Sequence, residues 1–302
     1  MAKVDVVIVS YNSAGELRGA VEPFLELADV HVIVVDNDST DGSLETVAEL
    51  PVTALPAGGN RGFAHGCNLG TSHGSAPSVL FLNPDARIDR ASLELLVRTL
   101  ESDASIGATA PRILGPDGEL HHSLRRDARL RSTYARAVFL HRLLPRAHWV
   151  DEVIRDPAAY ERAHDAEWVS GACVLVRRSA LDAVGGFDER FFLYREDMDL
   201  CRRLRAAGFR IRYEPAATAR HVGGASAPRT ALYPVLAVSR ILYAGKHRGR
   251  VAATLERAGV GLEALTHVAV SQGGRAARKG HVFALLAALA PGRWNRSSQT
   301  AR

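Results

Sequence analysis

The sequence predicts an α/β protein built on a mostly parallel sheet with helices on both faces. Short, wholly apolar runs recur through the first half without the polar alternation of a half-solvated strand. Amphipathic stretches of helical spacing separate them, as in a sheet wound with crossover helices. Polar, amide and acidic residues follow each apolar run directly, at the strand ends where open parallel sheets bind ligands.

VDVVIVS (4–10) reads as the first buried strand, with a helix over 14–27. HVIVVD (31–36) is the second strand, and SLETVAEL (43–50) lies on a helix. VTAL (52–55) is a short strand, and a helix spans 63–73. SVLFL (78–82) is the fourth strand, with ASLELLVRTLES (91–102) helical behind it. Later, EWVSGACVLVRRSAL (167–181) is a strand running into a helix, and RIRYEP (210–215) is another strand. Beyond about 230 the sequence reads as amphipathic helices with basic faces and a frayed tail, RWNRSSQTAR. Two regions follow from this, 1–225 and 226–302.

FLYREDMDL (192–200) sets Glu196, Asp197 and Asp199 behind an aromatic run. Leu200, Cys201, Leu204 and Ala207 recur at helical spacing after it. Asp197 lies three residues before Leu200 and seven before Leu204, so it shares the apolar face. Asp199 is expected on the solvated side, paired with Arg202 or Arg203. The simpler reading of Glu196 and Asp197 is that they complement the positive end of a helix dipole.

The 302 residues are 47% hydrophobic and 24% charged, an ordinary globular balance that can bury a substantial core. Cys67, Cys173 and Cys201 are far apart, so no disulfide framework or zinc site is readable and a reducing cytosol is the expected home. The N-terminal apolar run is too short for a signal peptide, and VFALLAALA (282–290) is too short for a membrane span. The net charge of +5 conceals a split. From Arg220 onward 13 Lys/Arg face only Glu256 and Glu263, and residues 121–149 hold seven Arg and one Asp. Such faces suit nucleic acid, an anionic membrane surface or a diphosphate, or are simply solvated arginines. The acidic first half disfavours nucleic acid.

A dinucleotide-binding Rossmann domain needs G-x-G-x-x-G after its first strand, and SYNSAGE stands there instead. No P-loop motif occurs either. VIVSYNS, VVDNDSTDGS, NRGFAHGCNLG, FLNPDA, WVSGACVLVRRSAL, GGFDERFFLYREDMDLCRRLRAAG and the later His221 together resemble glycosyltransferase family 2, in its rhamnosyltransferase-like branch. The likeness is collinear over roughly 4–224 and does not reach the C-terminal region. It implies the GT-A fold, a Rossmann-like mostly parallel sheet flanked by helices, here with a C-terminal helical extension.

The resemblance also implies roles. Ser10, Tyr11 and Asn12 border the nucleoside of a nucleotide-sugar donor, and Asp36 accepts from its base or ribose, unless Asp36 is only a turn-forming residue. Asn60, Arg61 and Asn68 contact the nucleotide end. Asp85 matches the last acid of a D-x-D motif that holds Mn²⁺ or Mg²⁺ on the donor diphosphate. Asn83 replaces the first acid and brings no charge. His221 matches a distal metal ligand, Asp197 matches the general base of an inverting transfer, and Glu196 hydrogen-bonds the acceptor or fixes a loop. Trp168 is either a platform for a sugar face or a core tryptophan. The implied acceptor is a cell-envelope glycan, including one on a polyprenyl diphosphate, with the enzyme cytoplasmic and resting peripherally on the membrane. A UDP-hexose donor with a soluble acceptor, or a non-catalytic sugar-nucleotide-binding module, are the alternatives.

Overall fold

The computed structural model describes residues 3–144, 147, 149–223, 229–270 and 274–290. The chain divides into a sheet unit (residues 1–126, 156–189 and 196–226) and a helical unit (127–155, 190–195 and 227–302).

In the sheet unit, β1 (Val4–Ser10) is buried at all seven positions, as an unalternating apolar run requires. The helix expected over 14–27 is α1 (Ala14–Val21) followed by a 3-10 turn, Glu22–Phe24. Pro23 has no N–H to continue the α-helical ladder. β2 (Val30–Asp36) follows. The helix expected over 43–50 contracts to the 3-10 turn Leu44–Val47, because the chain must reach β3 (Thr53–Pro56) within a few residues.

α2 (Phe63–Ser72) lies close on the sheet because of two glycines one turn apart. A β-carbon on Gly66 would come within 2.6 Å of Val9 Cγ1, and one on Gly70 within 2.5 Å of Val7 Cγ1. After β4 (Ser78–Leu82) and β5 (Ala86–Ile88), α3 (Arg90–Glu101) is capped by Asp89, whose carboxylate accepts from the Ser92 N–H at 2.7 Å. Leu17, Ala20 and Val21 of α1 and Leu93, Leu96 and Leu100 of α3 join Val6, Ile8, Val34 and Leu80 in one buried cluster. Alternation along β1 sends Val7 and Val9 to the other face, under α2.

β6 (Ile106–Leu114) and the short β7 (Leu124–Arg125) precede two helices of the other unit, α4 (Leu130–Ala137) and α5 (Leu140–Leu143). The sheet unit resumes with β8 (His164–Asp165), β9 (Trp168–Val169), β10 (Cys173–Arg177), α6 (Arg178–Ala183), α7 (Glu196–Ala206) and β11 (Arg210–His221). β11 runs past the expected 210–215 by way of an irregularity between Glu214 and Thr218, where Pro215 cannot donate to the ladder.

The main sheet has the order β3-β2-β1-β4-β10-β6-β11-β5, with β8 beside β11, and β7 pairs β9 separately. β1 is parallel to β2 and β4, β2 to β3, and β6 to β11. β10 runs against both β4 and β6, so the sheet is mixed. Asp199 was expected on the solvated side of α7 and is instead fully buried. Its partner is as expected: Arg203 Nε donates to Oδ2 at 2.7 Å, which neutralises a charge that the packing encloses.

The helical unit holds α4, α5, α8 (Tyr233–Val270) and α9 (Gly274–Leu289). α8 breaks at Gly249 (φ 86°, ψ 177°) into segments 233–248 and 250–270. A buried ion network stitches α4 to both segments. Arg240 donates to Glu263 at 2.6 Å and to Glu256 at 3.1 Å, and Arg136 reaches Glu263 at 3.0 Å. Four rings form a column: Phe139 stacks on His267 at 4.4 Å, His267 meets His281 at 5.2 Å, and His281 meets Tyr233 at 4.6 Å. Among the described residues no helix is long and apolar enough to cross a membrane. The tail RWNRSSQTAR lies outside the described residues.

Candidate active site

Strand register gathers the polar residues at one edge. β1 and β2 end level, with Ser10 opposite Asp36. Both side chains are buried, and Ser10 Oγ and Asp36 Oδ1 have no hydrogen-bond partner among the described residues. Asp36 Oδ2 is occupied by the Ser39 N–H at 3.1 Å, so the turn-forming role of this residue accounts for only one of its oxygens. Two adjacent buried acceptors without partners cost free energy unless something fills them, which is the pattern a ligand site leaves behind.

The loops above that pair hold one another. Asn12 (φ 50°) accepts the Thr40 N–H at 2.9 Å, and its own N–H goes to Ser39 Oγ. Asn37 donates to Asn60 Oδ1 at 2.9 Å and accepts the Arg61 N–H at 2.9 Å, clamping the glycine-rich loop beside β2. Asn60 and Arg61 are thereby placed next to Asp36, with the Arg61 side chain exposed and Tyr11 half-buried. Asn68 is spent elsewhere: its amide donates to Phe187 O and Glu189 Oε1 and accepts the Phe187 N–H.

Beyond β4, Asp85 Oδ1 lies 3.1 Å from His221 Nε2. Oδ2 accepts the Gly223 N–H at 2.9 Å, and Asn83 Nδ2 sits 3.2 Å from the same His221 nitrogen. Burial pushes the Asp85 carboxyl up, but the hydrogen bond and charge of His221 and the Gly223 N–H outweigh it, and the group lies below its ordinary value. One ring nitrogen cannot donate to the carboxylate and accept from the amide together, so Nε2 is contested. Among the described residues no cluster of three or more His, Cys, Asp or Glu side chains could hold a metal ion. Asp85 and His221 still fit a hard cation that takes its other ligands from phosphate and water. Two neighbouring ligands of an octahedral Mg²⁺, each at 2.0–2.1 Å, lie about 3 Å apart.

Asp197 is the second residue of α7, and its two oxygens accept the Gly171 N–H at 3.0 Å and the Met198 N–H at 2.7 Å. Burial raises its pKa. The two N–H groups, the charge of Arg125 and the Trp168 indole oppose that without cancelling it. Gly171 leads through Ala172 into β10, and Ala172 O accepts the Asn83 N–H at 2.9 Å. Because β10 runs against β4, its start lies at the strand edge that carries Asn83 and Asp85. The structure therefore brings Ser10, Asp36, Asn60, Asp85, His221 and Asp197 to one edge of one sheet. Trp168 is buried under the Arg125 guanidinium, 5.1 Å from its ring centre, and Glu196 is buried at the first position of α7. Arg125, the Gly171 N–H and the Asn37 clamp were not singled out from sequence. Arg125 lay inside the conspicuous basic stretch, but its role depends on the β7–β9 pairing.

Such a mixed sheet, with acids and amides at the carboxyl ends of its parallel strands, is built to hold a ligand at that rim. Residues 5–185 match glycosyl transferase family 2, and the chain belongs to that family and is a glycosyltransferase. It is 36% identical over 232 residues to the N-acetylglucosaminyl-diphospho-decaprenol L-rhamnosyltransferase of Mycobacterium tuberculosis, covering 72% of this chain and 75% of the relative. It is 27% identical over 230 residues to rhamnosyltransferase WbbL of Escherichia coli, covering 72% of this chain and 83% of that one. In three dimensions it is similar to a mannosyltransferase from Pyrobaculum calidifontis in complex with GDP-Man and Mn²⁺, with a TM-score of 0.55 and 19% identity over 98% of this chain and 84% of that one. That likeness shows the GT-A fold.

Proposed function

We propose that this glycosyltransferase moves L-rhamnose from dTDP-L-rhamnose to a hydroxyl of a polyprenyl-diphosphate-linked glycan, with inversion at the anomeric carbon. The single observation that supports it best is Asp197, a carboxylate with a raised pKa at the same sheet edge as the buried Ser10 Oγ and Asp36 Oδ1. Ser10 and Asp36 receive the nucleoside, with Tyr11, Asn12, Asn60 and Arg61 around it. Asp85 and His221 would hold a Mn²⁺ or Mg²⁺ ion, which when bound offsets negative charge on the donor diphosphate. Asp197 takes the proton from the acceptor hydroxyl as that oxygen attacks the anomeric carbon. The nucleoside diphosphate departs from the opposite face with the bonding electrons. One base and one displacement leave no covalent sugar–enzyme intermediate. Glu196 positions the acceptor, and the buried Trp168 braces Asp197 through its indole. The donor sugar and lipid-linked acceptor are inferred from the mycobacterial relative, and with such an acceptor the enzyme would work peripherally at the cytoplasmic face of the membrane.

Asp197→Asn tests the reading. Transfer should fall by ~10²–10⁴-fold, the usual worth of a general base, while thermal stabilisation by dTDP-rhamnose stays at the parental level. Turnover retained in that variant refutes the assignment. A product whose anomeric configuration matches the donor's refutes the single displacement.

A further inference from the structure

The helical unit leaves one face of its longest straight helix apolar and uncovered. In segment 250–270 of α8, Val251, Leu255, Ala258, Leu262, Leu265 and Ala269 are all exposed and follow a 4-3-4-3-4 spacing. That spacing keeps six side chains within a narrow arc of the helix. The opposite face, including Ala252, Glu256, Val260, Glu263 and Ala264, is buried. α9 repeats the device: Arg275, Lys279, Val282, Leu286 and Leu289 are exposed at 4-3-4-3 spacing, cationic at one end and apolar at the other. Among the described residues, 13 large hydrophobics are exposed, and only Val222 lies outside the helical unit.

Charge decides what covers this face. The helical unit carries 20 Lys/Arg against five Asp/Glu, whereas the rest of the chain carries 18 against 28. Two copies of a unit so strongly cationic repel, and an anionic lipid surface attracts it while repelling the remainder. An amphipathic helix with leucines on its outer face and arginines beside it is suited to lie in the headgroup plane with its apolar side chains inserted. Arg257 holds the pair of helices together, donating to the carbonyls of Ala288 and Leu289 at the end of α9. We propose that the outer stripe of residues 251–269, with the cationic end of α9, is a membrane-inserting face that seats the protein on an anionic bilayer. The inference extends the lipid-linked-acceptor reading by naming the surface that meets the lipid.

The test uses the full chain, without donor or acceptor, and vesicles of phosphatidylcholine with and without phosphatidylglycerol. The parent should sediment with the anionic vesicles. Part of that binding should survive about 1 M salt, where the Debye length falls to about 3 Å and only insertion remains. The triple variant L255D/L262D/L265D alters exposed positions only and should keep the parental circular dichroism and melting temperature. Its salt-resistant binding should fall at least about tenfold, while low-salt binding through the arginines persists in part. Equal salt-resistant binding by parent and variant overturns the proposal. So does a parent that ignores vesicles but forms a dimer that the variant abolishes, because a second copy then covers the face. Rhamnosyl transfer to a water-soluble acceptor is scored separately: vesicle binding without transfer condemns only the donor reading, and transfer without vesicle binding condemns only this one.

Discussion

Glu263 joins both segments of α8 to α4 through Arg240 and Arg136, and Glu263→Gln tests what that junction contributes. Its carboxyl is held down to about 2 from 4.5, because the charges and hydrogen bonds of Arg240 and Arg136 overcome its burial. At 1.36 kcal/mol per unit, that depression corresponds to about 3 kcal/mol of folding free energy. Breaking a buried ion pair by removing one partner costs about 3–5 kcal/mol, so two independent routes reach the same size. The sign follows from a folded-state value below the unfolded one. The contribution is complete at pH 7, begins to fade as pH falls past 4.5, and is gone near 2. Urea unfolding of parent and variant, followed by helical circular dichroism between pH 3 and 7, reads this directly. The gap should be about 3 kcal/mol at pH 7 and should close steadily toward pH 3. A gap under about 1 kcal/mol at neutral pH, or one of constant size across the range, refutes the assignment of the network as a stabilising element.

Three further outcomes are expected. Asp85→Ala should weaken dTDP-rhamnose binding and flatten the response of rate to Mn²⁺ or Mg²⁺, and an unchanged metal titration would remove Asp85 from the donor site. Gly70→Ala forces a methyl group against Val7 and should cost about 1–3 kcal/mol, as overpacking does; an unshifted melting temperature would show that α2 can lift at no expense. Because Asp197 must be ionised to accept a proton and burial raises its pKa, kcat/KM should fall with decreasing pH along a limb lying above the ordinary aspartate value. Asp197→Asn should lack that limb.

What the sequence revealed and what it hid follow from the range of the interactions involved. β1, β2, β4 and α3 were legible because an unbroken apolar run or a 3.6-residue stripe is a local signal. Pro23 was a local signal too, and it ended α1 early. β6 was not read, because the alanines, threonine and proline of IGATAPRIL resemble a loop until β10 and β11 flank it. Asp199 looked solvated by its distance from Arg202 and Arg203, yet burial is a property of the neighbours, and α7 is enclosed around it. At the site, Asp36, Asp85 and Asp197 stood out as acids after strands or at a helix start. Arg125 and Gly171 did not, because each acts on Asp197 from a stretch of chain that only the folded sheet brings close.

The reversal of β10 has an evolutionary side. Running against its neighbour, it starts at the rim where Asn83 and Asp85 lie, and the Gly171 turn that precedes it meets Asp197 there. On the proposed reading the nucleoside pocket, from the first three strands, and the base Asp197, from the later chain, are thus separately encoded, with His221 of β11 the later residue on the donor side. On that reading, drift around Asp197 can retarget the enzyme to a new alcohol while its taste for activated sugars is inherited intact.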